Sequence, residues 1–269
     1  MTSILIIRRI LTIILWLCAI ACFTGFPWIF LGANSLKTYV DDMEFSSVTM
    51  ILFRQQCLFF GFFCIYFLYL TNLDKYKPIT RIASFLIGFM GIFMYWLKVR
   101  THLDNISSQY EPFIWFVVGG LMFYLNKGIK GNPMQPRSLK IVTPLFRVIA
   151  FLLFLNFFSV IFPKQAWQVL SKIPYNSTLP FDRYTFGLIS GFMAFSSIIV
   201  YFLSNKFSYY NNFSIAVTCF LPIYFIGFLV WSSPLVCFSN LFLSYVLLMI
   251  ALSFLAIIYT SKNKYKYGK

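Results

Sequence analysis

Acidic residues are scarce in this chain. Seven Asp and Glu stand against twenty-two Lys and Arg among 269 residues, and there is a single histidine, His102. Catalytic and metal sites need convergent ionisable groups, and the acids here are dispersed through short polar seams. No catalytic constellation, nucleotide loop or metal-ligand cluster is legible. A zinc site built on His102 would have to draw thiols from apolar runs, because Cys18, Cys22, Cys57, Cys64, Cys219 and Cys237 all lie in such runs. Cysteines placed this way read as small buried hydrophobes rather than a disulfide framework. No cofactor and no metal is expected, and enzymatic activity is not.

Charged residues of both signs make up 11% of the chain and hydrophobic ones 60%, against about 25% and 45–50% in soluble domains. A water-soluble fold cannot bury so much apolar surface. Runs of about 20 residues that span lipid as helices can. Candidate spans are 10–33, 47–71, 79–98, 112–126, 144–163, 183–204, 213–231 and 235–260, the fourth short and the seventh carrying Pro222 near its middle. The expected fold is an all-α polytopic membrane protein of about eight transmembrane helices. The first run has the basic start of a signal peptide, but its length reads as a retained helix.

The seams orient the chain. With the N-terminus inside, fifteen of the twenty-two basic residues fall on the inner side, including Arg8, Arg9, Lys75, Lys77, Arg81, Lys127 and Arg147. Six of the seven acids fall outside: Asp41, Asp42, Glu44, Asp104, Glu111 and Asp182. Retained Lys and Arg set orientation, so both termini are expected in the cytoplasm. The net charge of +15 is thus mainly a topology signal, with attraction to anionic headgroups as its functional side. Basic residues scattered over separate seams do not make a nucleic-acid face. Trp28, Trp96, Trp115, Trp167 and Trp231 lie toward the outer ends, where amphipathic rings gather. Asn105-Ile106-Ser107 and Asn176-Ser177-Thr178 match a glycosylation pattern on the same side.

The basic stretch from Asn126 to Pro144 divides the spans four and four. The expected organisation is a first four-helix repeat over 1–130, a cytoplasmic basic linker over 131–143 and a second repeat over 144–269, the two parallel because each holds an even number of spans. Arg9 and Arg147 open the halves, and Phe26-Pro27 and Phe162-Pro163 lie near the outer ends of their first helices. Leu36, Tyr39, Val40 and Met43 share a spacing with Ala166, Val169, Leu170 and Ile173 that gives one apolar helical face, as in interfacial helices. Arg54 then leads to Gly61, and Arg183 to Gly187 and Gly191. Together with Pro27, Arg81 opening a helix that contains Gly88 and Gly91, and Glu111 at the fourth helix, this pattern resembles a family of small bacterial four-helix membrane proteins of unknown function. The resemblance covers 5–128 and, more loosely, 145–260. It implies the four-helix fold and brings no reaction with it. The second half has Pro234 and Asn240 where a counterpart of Glu111 would stand.

Arg54 is the charge that topology leaves over. It lies about 10 Å inside its span at 1.5 Å per residue, where a charge is costly unless paired or snorkelling to the headgroups. Pairing with Glu111, Glu44, Asp42 or Asp41 would make a charged site at the outer mouth of the first bundle. A guanidinium there suits a lipid phosphate or other anion, with Arg183 the corresponding candidate in the second half. Gly187 and Gly191 form a small-xxx-small pattern suited to close helix packing.

The leading functional expectation is a non-enzymatic membrane protein, either a structural or accessory subunit of a membrane complex or a binder of a lipid-like molecule. Its partners would be membrane lipids and other membrane subunits, not nucleic acid. A small-molecule or ion transporter or channel is the alternative, resting on Gln55, Gln56, Asn156 and scattered serines. An intramembrane enzyme is third.

Overall fold

A computed structural model describes residues 2–30, 46–103, 110–129, 141–206, 210–232 and 238–267. Apolar runs with few charges fold as helices because a helix satisfies its own backbone polar groups where water cannot. The described elements are α1 (Thr2–Gly25), α2 (Ser47–Leu70), α3 (Leu73–Thr101), α4 (Glu111–Lys127), α5 (Val142–Phe154), α6 (Asn156–Ile161), α7 (Pro163–Leu170), α8 (Pro180–Ser204), α9 (Asn211–Ser232) and α10 (Asn240–Tyr267), with 3-10 turns at Phe26–Phe30 and Tyr175–Ser177. No strand occurs among the described residues; Ser171 and Phe238 form an isolated bridge. Among the described residues seven helical stretches are long and apolar enough to cross a membrane: Ile4–Phe30, Val48–Leu70, Leu73–Thr101, Val142–Ile161, Pro180–Ser204, Asn212–Trp231 and Asn240–Ser261. The protein is therefore an all-helical, multi-pass membrane protein. The short fourth run forms α4, whose 17 residues extend about 25 Å.

The chain folds into two compact units, one of residues 1–45 and 56–133 and the other of 46–55 and 134–269. The first turns of α2 thus belong with the second unit.

In the first unit α1 gives way to a 3-10 turn at Phe26, as the residue before Pro27 is disfavoured in helical conformation. Phe26 and Phe60 interlock with opposing glycines: a Cβ on Gly61 would lie 2.5 Å from the Phe26 ring, and one on Gly25 2.6 Å from that of Phe60. Asn72 caps α3 by accepting from the Lys75 N–H at 3.4 Å. Beside that cap Arg8 pairs with Asp74 at 2.5 Å. His102, the lone histidine, ends α3 in the left-handed region at φ 52°, its N–H directed to the Lys98 and Val99 carbonyls. That is a helix C-cap.

In the second unit α8, the most enclosed of the long helices, packs against α5 and α6, and α9 against α10. The expected continuous span 144–163 is interrupted. Asn156 donates its amide to the Leu153 carbonyl at 3.0 Å and the Tyr245 hydroxyl at 3.1 Å, and the Phe158 N–H turns to Leu155. A side chain entering the ladder in this way breaks a helix locally. Pro163 then occupies the first turn of α7, where its missing N–H costs nothing. The α7 face differs from the expected one. Val169 is 51% exposed, whereas Trp167 is fully buried, edge-on to Phe186 at 5.0 Å, and donates to the Ile173 carbonyl at 2.8 Å. Trp167 is a core residue of this unit. Around Pro222, by contrast, α9 runs unbroken. The expected interfacial helix at 36–43 and residues 131–140 of the expected linker 131–143 lie outside the described residues, while Val142 and Thr143 already belong to α5.

Candidate functional site

A buried polar cluster of the second unit is built from two helix beginnings. Ser46 precedes α2, and its hydroxyl oxygen accepts from the Thr49 N–H at 3.1 Å; the Thr49 hydroxyl accepts from the Ser46 N–H at the same distance. This reciprocal arrangement is a capping box, with the two hydroxyls themselves 3.0 Å apart. Thr49 donates to Asp182 Oδ1 at 2.5 Å, and Ser46 donates to Oδ2 at 3.3 Å. Asp182 is itself the third residue of α8 and accepts from the Leu179 N–H at 3.2 Å.

One carboxylate, 1% exposed, therefore closes two helix N-termini at once. Each terminus carries roughly half a positive charge, which together offset the carboxylate and make its burial tolerable. The span expected to begin at residue 183 begins at Pro180, so Asp182 lies inside the helix. The overlooked signal is local: Pro180 and Asp182 stand at the first and third positions of a helix, and Ser46 and Thr49 have cap spacing.

Arg54 lies five residues beyond Thr49. Its guanidinium sits over the Trp231 ring at 6.0 Å from the centroid, and its buried Nε finds no hydrogen-bond partner among the described residues. Arrangements of this kind are cation–π contacts, stronger when desolvated. Neighbouring Gln55 is fully buried with both amide atoms unpartnered among the described residues, as are the hydroxyls of Thr185 and Ser214. Most buried hydroxyls here behave differently: Thr80, Thr101, Thr218 and Ser253 each donate to the carbonyl four residues back.

The other predicted residues are dispersed. Arg183 is spent locally, donating to the Thr178 hydroxyl and carbonyl at 3.0 Å each and lying over the Tyr175 ring. Glu111, in the first turn of α4 and so in the first unit, accepts from Trp115 Nε1 at 3.3 Å. Glu44, Asp41 and Asp42 lie outside the described residues. Gly187 and Gly191 are both buried in α8.

In the first unit α3 and α4 approach closely through glycines. A Cβ on Gly119 would stand 2.2 Å from the Gly88 backbone nitrogen, and one on Gly91 would stand 2.4 Å from the Pro112 carbonyl oxygen. Among the described residues no group of three or more His, Cys, Asp and Glu is placed to hold a metal ion. Comparison with known proteins finds no matching family model, no matching curated protein and no matching solved structure.

Proposed function

We propose that the protein is a non-enzymatic integral membrane protein that binds a lipid-like molecule, with service as an accessory subunit of a membrane complex as the related reading. The proposal takes α4 as an eighth span, places both termini in the cytoplasm of a bacterial inner membrane, and retains two parallel four-helix repeats with a resemblance to the four-helix family of unknown function.

The observation that supports binding is Arg54. Its charge is held in a membrane-length helix against Trp231, with Nε lacking an acceptor among the described residues. Leaving such a donor unmet costs about 1–3 kcal/mol or more for a charged group, and a lipid phosphate or carboxylate would relieve that cost. Mass spectrometry of the purified protein tests it. One anionic lipid should be enriched, lost in Arg54→Leu and retained in Arg54→Lys. Equal lipid content in wild type and Arg54→Leu would end the proposal, and a stoichiometric protein partner would favour the subunit reading.

A transporter is the second reading, supported by the unpartnered amide of Gln55 and hydroxyl of Thr185 within long helices. Buried polar groups in spans commonly mark substrate paths. Gln55→Leu separates the two readings: a binder with a structural Gln55 keeps its lipid, while a transporter loses solute-dependent stabilisation.

A further inference from the structure

The first unit carries an arrangement that topology alone does not require. Along α3, Arg81, Ser84, Gly88 and Gly91 lie at successive turns, and Gly88 and Gly91 meet the α4 backbone at Gly119 and Phe116. Where this seam ends, the Arg81 guanidinium lies 5.5 Å from the centre of the Phe123 ring, and the Lys127 ammonium, one turn further along α4, lies 5.4 Å from the same centre. Two like charges are thus gathered on one ring, and neither has an acidic partner among the described residues.

The acid at this end, Asp74, is engaged by Arg8 at 2.5 Å. The other basic groups nearby are occupied differently: Lys77 donates to the Ile129 carbonyl, and Lys75 lies over Tyr76. Beyond Arg81, the exposed face of α3 continues as a stripe of apolar rings. Phe85 and Phe89 stack at 6.5 Å and are 63% and 43% exposed.

We propose that Arg81 and Lys127 hold the phosphate of an anionic phospholipid whose acyl chains run along the Phe85–Phe89 stripe. A cationic pair at the end of an exposed apolar track is complementary to an amphiphile and to nothing smaller. Arg offers a fork of donors and Lys a point charge, so one phosphate oxygen pair is met from both helices. Binding there would also relieve the repulsion between the two cations. The site rests on the reading that the chain holds lipid, but it is independent of Arg54.

Native mass spectrometry of the full chain, delipidated and then offered phosphatidylglycerol, phosphatidylcholine or inorganic phosphate, tests it. Wild type should retain phosphatidylglycerol over phosphatidylcholine, and the Arg81→Gln/Lys127→Gln double variant should lose that preference on the order of tenfold or more, as expected for two basic groups at a membrane surface. Arg81→Lys/Lys127→Arg should keep it. Lys98→Gln/Arg100→Gln, which removes the same charge elsewhere on the unit, is the control.

Equal retention of the two lipids by wild type overturns the proposal without recourse to any variant. So does an equal loss in the control, or displacement of the lipid by millimolar inorganic phosphate alone. If the phosphatidylglycerol preference survives Arg54→Leu while the lipid enriched at purification does not, the two sites are separate.

Discussion

Asp182 holds one of the few charges in a long helix, and every hydrogen bond it accepts comes from a helix beginning. Removing it strands two hydroxyls and the Leu179 N–H in a buried place, where each unmet group costs about 1–3 kcal/mol. Asp182→Ala should therefore lower stability by about 3 kcal/mol in chemical denaturation from detergent, and Thr49→Val by about 1 kcal/mol. Because the two side chains are 2.5 Å apart, the double variant should show coupling well above the roughly 0.3–0.5 kcal/mol scatter of independent sites. Simple additivity would mean the carboxylate is served mainly by the backbone. Trp167 is the other residue whose loss should be severe. Full burial and the bond to Ile173 put Trp167→Ala at about 3–5 kcal/mol, and a surface tryptophan would show almost none of that.

Among the elements, α3 and α4 make the sharpest comparison. Gly119 and Gly120 are neighbours with opposite surroundings: a Cβ on Gly119 meets the Gly88 backbone at 2.2 Å, whereas one on Gly120 meets nothing within 4 Å. Backbone contact cannot be relieved by a rotamer change, so Gly119→Ala should cost about 1–3 kcal/mol or more. Gly120→Ala should be neutral or slightly stabilising, since alanine favours helix over glycine. Thermal unfolding of the two single variants in the same detergent decides this, and equal melting temperatures would refute the seam. The break after Phe154 is of another kind. Asn156→Leu should remove the bonds to Leu153 and Tyr245 at a cost of about 0.6 kcal/mol, the average for polar contacts in membranes, and let α5 and α6 join.

At the scale of the whole molecule, the apolar runs already disclose a helical membrane protein, because lipid leaves the backbone few alternatives. Element ends and packing partners were less legible. The cap formed by Asp182 and the burial of Trp167 were not legible, because hydropathy averages over a turn or more, while a cap or a buried ring is decided by single positions. The close approach of Gly88 and Gly119 was not legible, because a glycine's partner lies on another helix and leaves no trace in its own neighbourhood. Arg54 was legible as an anomaly, whereas its contact with Trp231, 177 positions later, was not. Orientation has its own test. Cysteine-free protein with single cysteines at Ser3 and Ser261 should label only from the cytoplasmic side in oriented vesicles, and outside labelling of either would reverse the topology proposed for that end.

The bond between Thr49 and Asp182 also sets an order of events during synthesis. Its two ends are 133 residues apart, so at about 5–20 residues per second the ribosome needs on the order of ten seconds to deliver the carboxylate after the threonine. Until then the start of α2 is without its acceptor. A chain halted before residue 182 is left with an unfinished helix end that only the arrival of α8 completes.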